Sequence, residues 1–193
     1  VDPSSPRHGG ELVAEVLKAH GVKFLFTLPG GHISPVLVAC EKVGIRVVDT
    51  RHEATAVFAA DAVSRLSEGC RGAHVGSGQG RGALQDIDQL SLFRSLCKAT
   101  ESVGAVRDIV PTLRRAIATA QSGTPGPVFV ELPIDVLYPF HVVQKEIGGS
   151  KTPKGLRGKV VQWYLQNYLR NLFAGAWEPR DVSPLPVHVP LAP

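Results

Sequence analysis

Apolar positions along this chain fall into two alternating rhythms. Leu12, Val13, Val16 and Leu17 recur at helical spacing and Gly21 follows as a stop, which predicts a first helix. Residues 22–27 read as a short buried strand closed by Pro29-Gly30-Gly31. A second helix is expected over 34–43, with Pro35 in its first turn and Gly44 at its end. Residues 45–49 form the next strand and 53–66 an alanine-rich third helix. Short strands alternating with helices through short connections predict parallel strands with crossover helices, an α/β fold built on an open, mostly parallel sheet with helices on both faces. In such sheets ligands sit beyond the carboxyl ends of the strands, where both Pro29-Gly30-Gly31 and Arg51-His52-Glu53 fall.

The rhythm breaks between 69 and 82, which hold six glycines and neither a strand nor a helix pattern. It resumes with a short helix near 84–93, a weak strand near 101–103, a strong helix over 107–120 and a last core strand between Pro127 and Pro133. Beyond Pro139 the composition shifts. Residues 144–158 read as a Lys/Gly linker, 160–173 as an amphipathic helix, and the Pro-rich tail from Trp177 as extended or disordered. Docking on the domain's own surface and docking on a neighbouring domain both account for that helix. The expected division is a flexible entry over 1–8, one domain over 9–140, and linker, helix and tail over 141–193.

The 193 residues suffice for one domain with a real core. Mean hydropathy is close to zero, the value of a soluble chain, and no apolar run approaches the roughly 20 residues of a membrane span. Opening on Val1 and lacking Met altogether, the sequence is expected to be a fragment or a processed product. The net charge of +4 is scattered, without the aromatic-interleaved basic stripe of a nucleic-acid face, so nucleic acid is not an expected partner. Cys40, Cys70 and Cys97 lie far apart, which suits a reducing compartment better than a disulfide framework or a zinc site. The seven His show no paired-ligand spacing, and no protein metal site is expected.

Individually the motifs are weak. A carboxylate in the first turn of a helix is favoured by the macrodipole alone, so capping accounts for Glu53 without any chemistry. Gly30-Gly31-His32 is no phosphate loop, and Gly76-Ser77-Gly78-Gln79-Gly80 follows no convincing strand.

Taken in order they are specific: Leu28-Pro29-Gly30-Gly31, Asp49-Thr50-Arg51-His52-Glu53, the alanine-rich helix, Gly82-Ala83-Leu84-Gln85, and the closing run from Thr124 through Pro125-Gly126-Pro127 to Val136. This resembles the N-terminal pyrimidine-binding domain of thiamine-diphosphate enzymes of the acetolactate synthase group. Arg107-Asp108-Ile109-Val110-Pro111 and Phe173-Ala174-Gly175-Ala176-Trp177-Glu178-Pro179 resemble its animal branch of 2-hydroxyacyl-CoA lyases. The resemblance implies that Glu53 hydrogen-bonds a ring nitrogen of the cofactor's aminopyrimidine and so activates it. It implies that Gly30, Gly31 and His32 form the loop beside the substrate and that Gln85 faces the reacting centre. The implied chemistry is carbon–carbon cleavage or ligation on an acyl-CoA or keto-acid substrate. A carboxyl sharing a proton with a ring nitrogen wants a dry site, a demand that the helix N-terminus opposes.

The chain departs from the family pattern in two places. Between Leu66 and Gly82 about 30 residues, the size of a βαβ unit, are missing, which is expected to bare sheet edges and apolar helix faces. The domain that would hold the diphosphate through Mg2+ is likewise expected to be absent. The resemblance further implies a site shared between two subunits, hence a homodimer or pairing with a full-length subunit, and a parent protein at the endoplasmic reticulum membrane. The chain by itself is expected to be inactive.

Overall fold

The structure, a computed structural model, describes residues 5–66, 75–76, 87–147 and 155–187. Helix α1 (Gly9–Ala19) leads into strand β1 (Phe24–Thr27), a 3-10 turn (Gly31–Ile33) and helix α2 (Ser34–Lys42). Strand β2 (Arg46–Asp49) and helix α3 (Glu53–Leu66) follow. After the short strand β3 (Val75–Gly76) come helix α4 (Gln89–Phe93) and strand β4 (Ala99–Ser102). A second 3-10 turn (Val106–Asp108) opens helix α5 (Ile109–Gln121), and strand β5 (Val128–Glu131) ends the sheet-forming part. Helices α6 (Ile134–Leu137), α7 (Phe140–Ile147) and α8 (Gly155–Phe173) complete the described elements.

The class is α/β with parallel strands, arranged in two sheets. β1 pairs with β2 from Phe24↔Arg46 to Thr27↔Asp49. β5 lies between β3 and β4 in the order β3-β5-β4. Among the described residues no ladder joins the two sheets; they are bridged by helix packing, with α1 against both α2 and α5. One core runs through that bridge, built from Val13, Val16 and Leu17 of α1, Val36 of α2, Ile109, Val110 and Leu113 of α5, and Val130 and Leu132 around β5. The start of α1 fits there only as glycine. A Cβ on Gly9 would stand 1.8 Å from the Val136 carbonyl oxygen, and one on Gly10 would stand 2.5 Å from backbone atoms of Pro35.

Several expectations are corrected. The glycine-rich stretch does carry strand, since Val75–Gly76 pairs with Val130 and Glu131; two residues are too short for a period-2 pattern to register. Within the expected linker, 144–147 belong to α7, whose Val142 and Val143 amides donate to the Pro139 carbonyl at 3.0 and 3.1 Å. Pro139 precedes the first turn of a helix instead of ending structure. Residues 7 and 8 are not a free entry: the Arg7 guanidinium lies 4.8 Å above the Trp177 ring, and His8 is largely buried against α1. The tail forms no helix or strand over 179–187 but is fastened to α5, where Arg114 donates to Asp181 at 2.7 Å and to the Ser183 carbonyl at 2.6 Å.

Helix α8 docks its C-terminal half on this domain. Leu169, Leu172 and Phe173 are buried, and Phe173 meets Phe140 edge-on at 5.2 Å. Arg107 donates to the Asn171 carbonyl at 3.0 Å near the end of the same helix, where a cation complements the helix dipole. Cys40 is buried in the core, and burial pushes its thiol up to about 11, so it packs as a small apolar side chain. Cys70 and the remainder of 67–86 outside β3 lie outside the described residues.

Candidate functional site

The parallel register places the two loops of interest side by side. Strands β1 and β2 end opposite each other at Thr27 and Asp49, about 4.8 Å apart as neighbouring strands are. Pro29-Gly30-Gly31-His32 therefore leaves the sheet beside Arg51-His52-Glu53. Thr50, buried between them, fastens the pair: its hydroxyl lies 3.1 Å from the carbonyl oxygens of both Thr27 and His52.

Glu53 is the first residue of α3, where the helix dipole favours its charge. His52 caps the same end, its Nδ1 accepting from the Ala54 amide at 3.1 Å. That nitrogen therefore carries a lone pair, and the Glu53 carboxylate 4.0 Å from it is a neighbour, not an ion-pair partner. The Glu53 side chain is 54% exposed. Among the described residues nothing encloses it in the dry setting that its implied role demands.

Along α3 only Ala56 is buried, and Phe58, one turn from the Glu53–Ala54 end, is 74% exposed; Val57 and, at the far end of the helix, Leu66 are exposed too. A water-exposed carboxylate and exposed apolar side chains thus share this helix.

The glycine loop is held through its carbonyls. The Ser34 hydroxyl donates to Gly30 O at 3.1 Å, and the Tyr138 hydroxyl donates to Gly31 O from 107 positions away in sequence. Neither glycine has a positive φ, and a Cβ on either would meet nothing within 4 Å. The fold itself does not require glycine there; space is left above the backbone for something from outside. His32 is exposed in the 3-10 turn that follows.

Of the expected site residues, Gly30, Gly31, His32 and Glu53 come to one edge, while Gln85 lies outside the described residues. The supporting roles of Thr50 and Tyr138 were not read from the sequence. Thr50 had a signal, a hydroxyl between a strand end and a turn. Tyr138 had none, because its partner is remote in the chain. Among the described residues no three His, Cys, Asp or Glu gather to hold a metal, and no helix is long and apolar enough to cross a membrane.

Comparison with known proteins agrees with this frame. Residues 7–92 match the family described as thiamine pyrophosphate enzyme, N-terminal TPP binding domain. A 2-hydroxyacyl-CoA lyase 2 of Danio rerio is 63% identical over 219 residues, covering 97% of this chain and 35% of the relative. That of Homo sapiens is 61% identical over 223 residues, covering 100% of this chain and 35% of its own length. A probable acetolactate synthase of Mycobacterium bovis is 29% identical over 164 residues, 69% of this chain and 30% of the relative. The chain thus spans about a third of the length of these curated relatives. The human alignment runs over 223 residues while this chain supplies 193, so about 30 residues of the relative have no counterpart here, the size of the expected internal gap. Over residues 7–92 the chain is thus similar to the N-terminal TPP binding domain of thiamine pyrophosphate enzymes.

Proposed function

We propose that this chain is the pyrimidine-facing part of a carbon–carbon lyase or synthase acting on 2-hydroxyacyl-CoA or 2-ketoacyl groups, and that alone it is inactive. The observation that carries both halves is Glu53: a carboxylate at the carboxyl edge of a parallel ladder, beside an open glycine loop, yet 54% exposed. Bound thiamine diphosphate supplies the nucleophilic carbon. Glu53 would share a proton with a ring nitrogen of its aminopyrimidine, Thr50 and the His52 cap hold the turn that aims the carboxyl, and Gly30, Gly31 and His32 leave room for the substrate. The residues present fit the pyrimidine end of the cofactor. Among the described residues no three His, Cys, Asp or Glu gather to hold a metal, and by resemblance the diphosphate and Mg2+ would be held by a C-terminal domain of the family. By resemblance the parent protein belongs at the endoplasmic reticulum membrane.

Covering Glu53 requires a second surface. The exposed Val57, Phe58 and Leu66 on the same helix favour a companion reading, in which the chain pairs with a full-length subunit without itself catalysing. The test is turnover of a 2-hydroxyacyl-CoA by purified chain with thiamine diphosphate and Mg2+, followed by chromatography, with and without a full-length relative. No turnover alone, together with co-purification that is lost in Phe58→Asp, is the expected result. Turnover by the isolated chain overturns inactivity, and indifference to the full-length protein overturns pairing.

A further inference from the structure

Helix α8 has two faces with different fates. Its C-terminal half turns Leu169, Leu172 and Phe173 into the core. Its N-terminal half leaves Val160, Val161, Trp163 and Tyr164 exposed, at 58, 56, 66 and 63%. Val160, Trp163 and Tyr164 stand at i, i+3 and i+4 and so share one side of the helix. Arg157 lies one turn before Val160 and Lys159 one turn before Trp163, both exposed. The helix contains three cations, Arg157, Lys159 and Arg170, and no Asp or Glu.

We infer that this half of α8 seats on an anionic phospholipid surface, lying in the headgroup layer without crossing it. A helix with basic residues bordering Trp and aliphatic side chains partitions in that way, its rings at the headgroup level and its cations on lipid phosphates. Charge selects this occupant. A second copy seated α8 against α8 would offer Arg157 and Lys159 no acidic partner, since the helix carries no Asp or Glu. The area points the same way: four partly exposed side chains present roughly half of the about 800 Å² that one partner contributes to a standard protein interface. The docked half gives the surface a rigid support, since Tyr168 donates to Asp135 at 3.0 Å and Arg107 holds the Asn171 carbonyl.

The test is co-sedimentation of the chain with phosphatidylcholine vesicles, with and without phosphatidylserine, at low and high salt. Binding is expected only with phosphatidylserine and is expected to weaken with salt. Arg157→Gln and Lys159→Gln should each lower partitioning about fivefold. The double variant Trp163→Ser/Tyr164→Ser should lower it by at least about tenfold. These side chains lie outside the core, so circular dichroism should show every variant folded; should the double variant fail to fold, the two glutamine variants decide alone. Absence of binding to phosphatidylserine vesicles, equal binding to phosphatidylcholine alone, or unchanged partitioning of folded variants overturns the inference. So does Trp163-dependent self-association, or tighter Trp163-dependent binding to polyglutamate, which would indicate a second copy or an acidic protein instead.

Discussion

Thr50 donates twice to a single acceptor: its amide at 2.8 Å and its hydroxyl at 3.1 Å both reach the carbonyl oxygen of Thr27. The ladder between β1 and β2 is thereby extended one residue past its last strand pair, and the turn carrying Glu53 starts from a fixed point. Thr50→Val keeps the shape and the amide bond but strips the hydroxyl, whose single proton serves either the Thr27 or the His52 carbonyl. Urea unfolding should show a loss of about 1 kcal/mol at unchanged slope, with Thr50→Ser close to the parent. Equal midpoints for the two variants would deny the hydroxyl any part in holding the turn.

Two pairs of glycines should behave oppositely. Gly9→Ala forces a methyl against the Val136 carbonyl, a backbone atom that cannot swing aside, and should destabilise by at least about 2 kcal/mol. Gly31→Ala meets open space and should stay within about 0.5 kcal/mol of the parent. Thermal denaturation of the two variants side by side reads the difference. A large loss in Gly31→Ala would mean that the loop serves the fold and leaves no room for a ligand.

The order of the elements was largely legible because each stop was local. Gly21 and Gly44 end α1 and α2 with φ of 75° and 79°, conformations that glycine adopts without a Cβ penalty. The range of α3 was read correctly because Glu53 and the alanine run define it within the segment itself. The division into two sheets was not legible, because pairing partners are set by tertiary packing and not by the pattern of either strand. Helices α6 and α7 were hidden by Pro133 and Pro139, which resemble breaks until the chain is seen to turn into a helix at each. The exposure of Glu53 was also beyond sequence reasoning: its neighbours in the chain give its position, but its burial is set by tertiary packing.

Phe173→Ala should remove the anchor of α8. The ring is fully buried and packs edge-on against Phe140, so about 3–5 kcal/mol of stability is expected to go with it. Calorimetry, together with proteolysis between α7 and α8, would report the undocked helix. A variant as stable and as resistant as the parent would mean that α8 rests on the domain without holding it together.

Stability should fall as pH drops below about 6.5, in part through His8. Burial lowers its pKa from the ordinary 6.5; Glu11 raises it and Lys42 adds to the lowering. The unfolded chain therefore takes up a proton below pH 6.5 that the folded chain resists, so stability is retained above that value and declines until the folded-state pKa is passed. His8→Gln should flatten that part of the profile in urea titrations across pH. An identical slope in the variant would assign the acid sensitivity to other groups.

The seam between the β1–β2 pair and the β3-β5-β4 sheet has a dynamic consequence. Because among the described residues no backbone ladder crosses it, separating the two halves breaks side-chain packing while each ladder keeps its own hydrogen bonds. Native-state opening should therefore proceed in two cooperative steps, with α1 as the clasp whose release lets one half exchange its amides before the other. The loops bearing Glu53 and Gly31 both sit on the smaller half, so they travel together as a unit whenever the clasp opens.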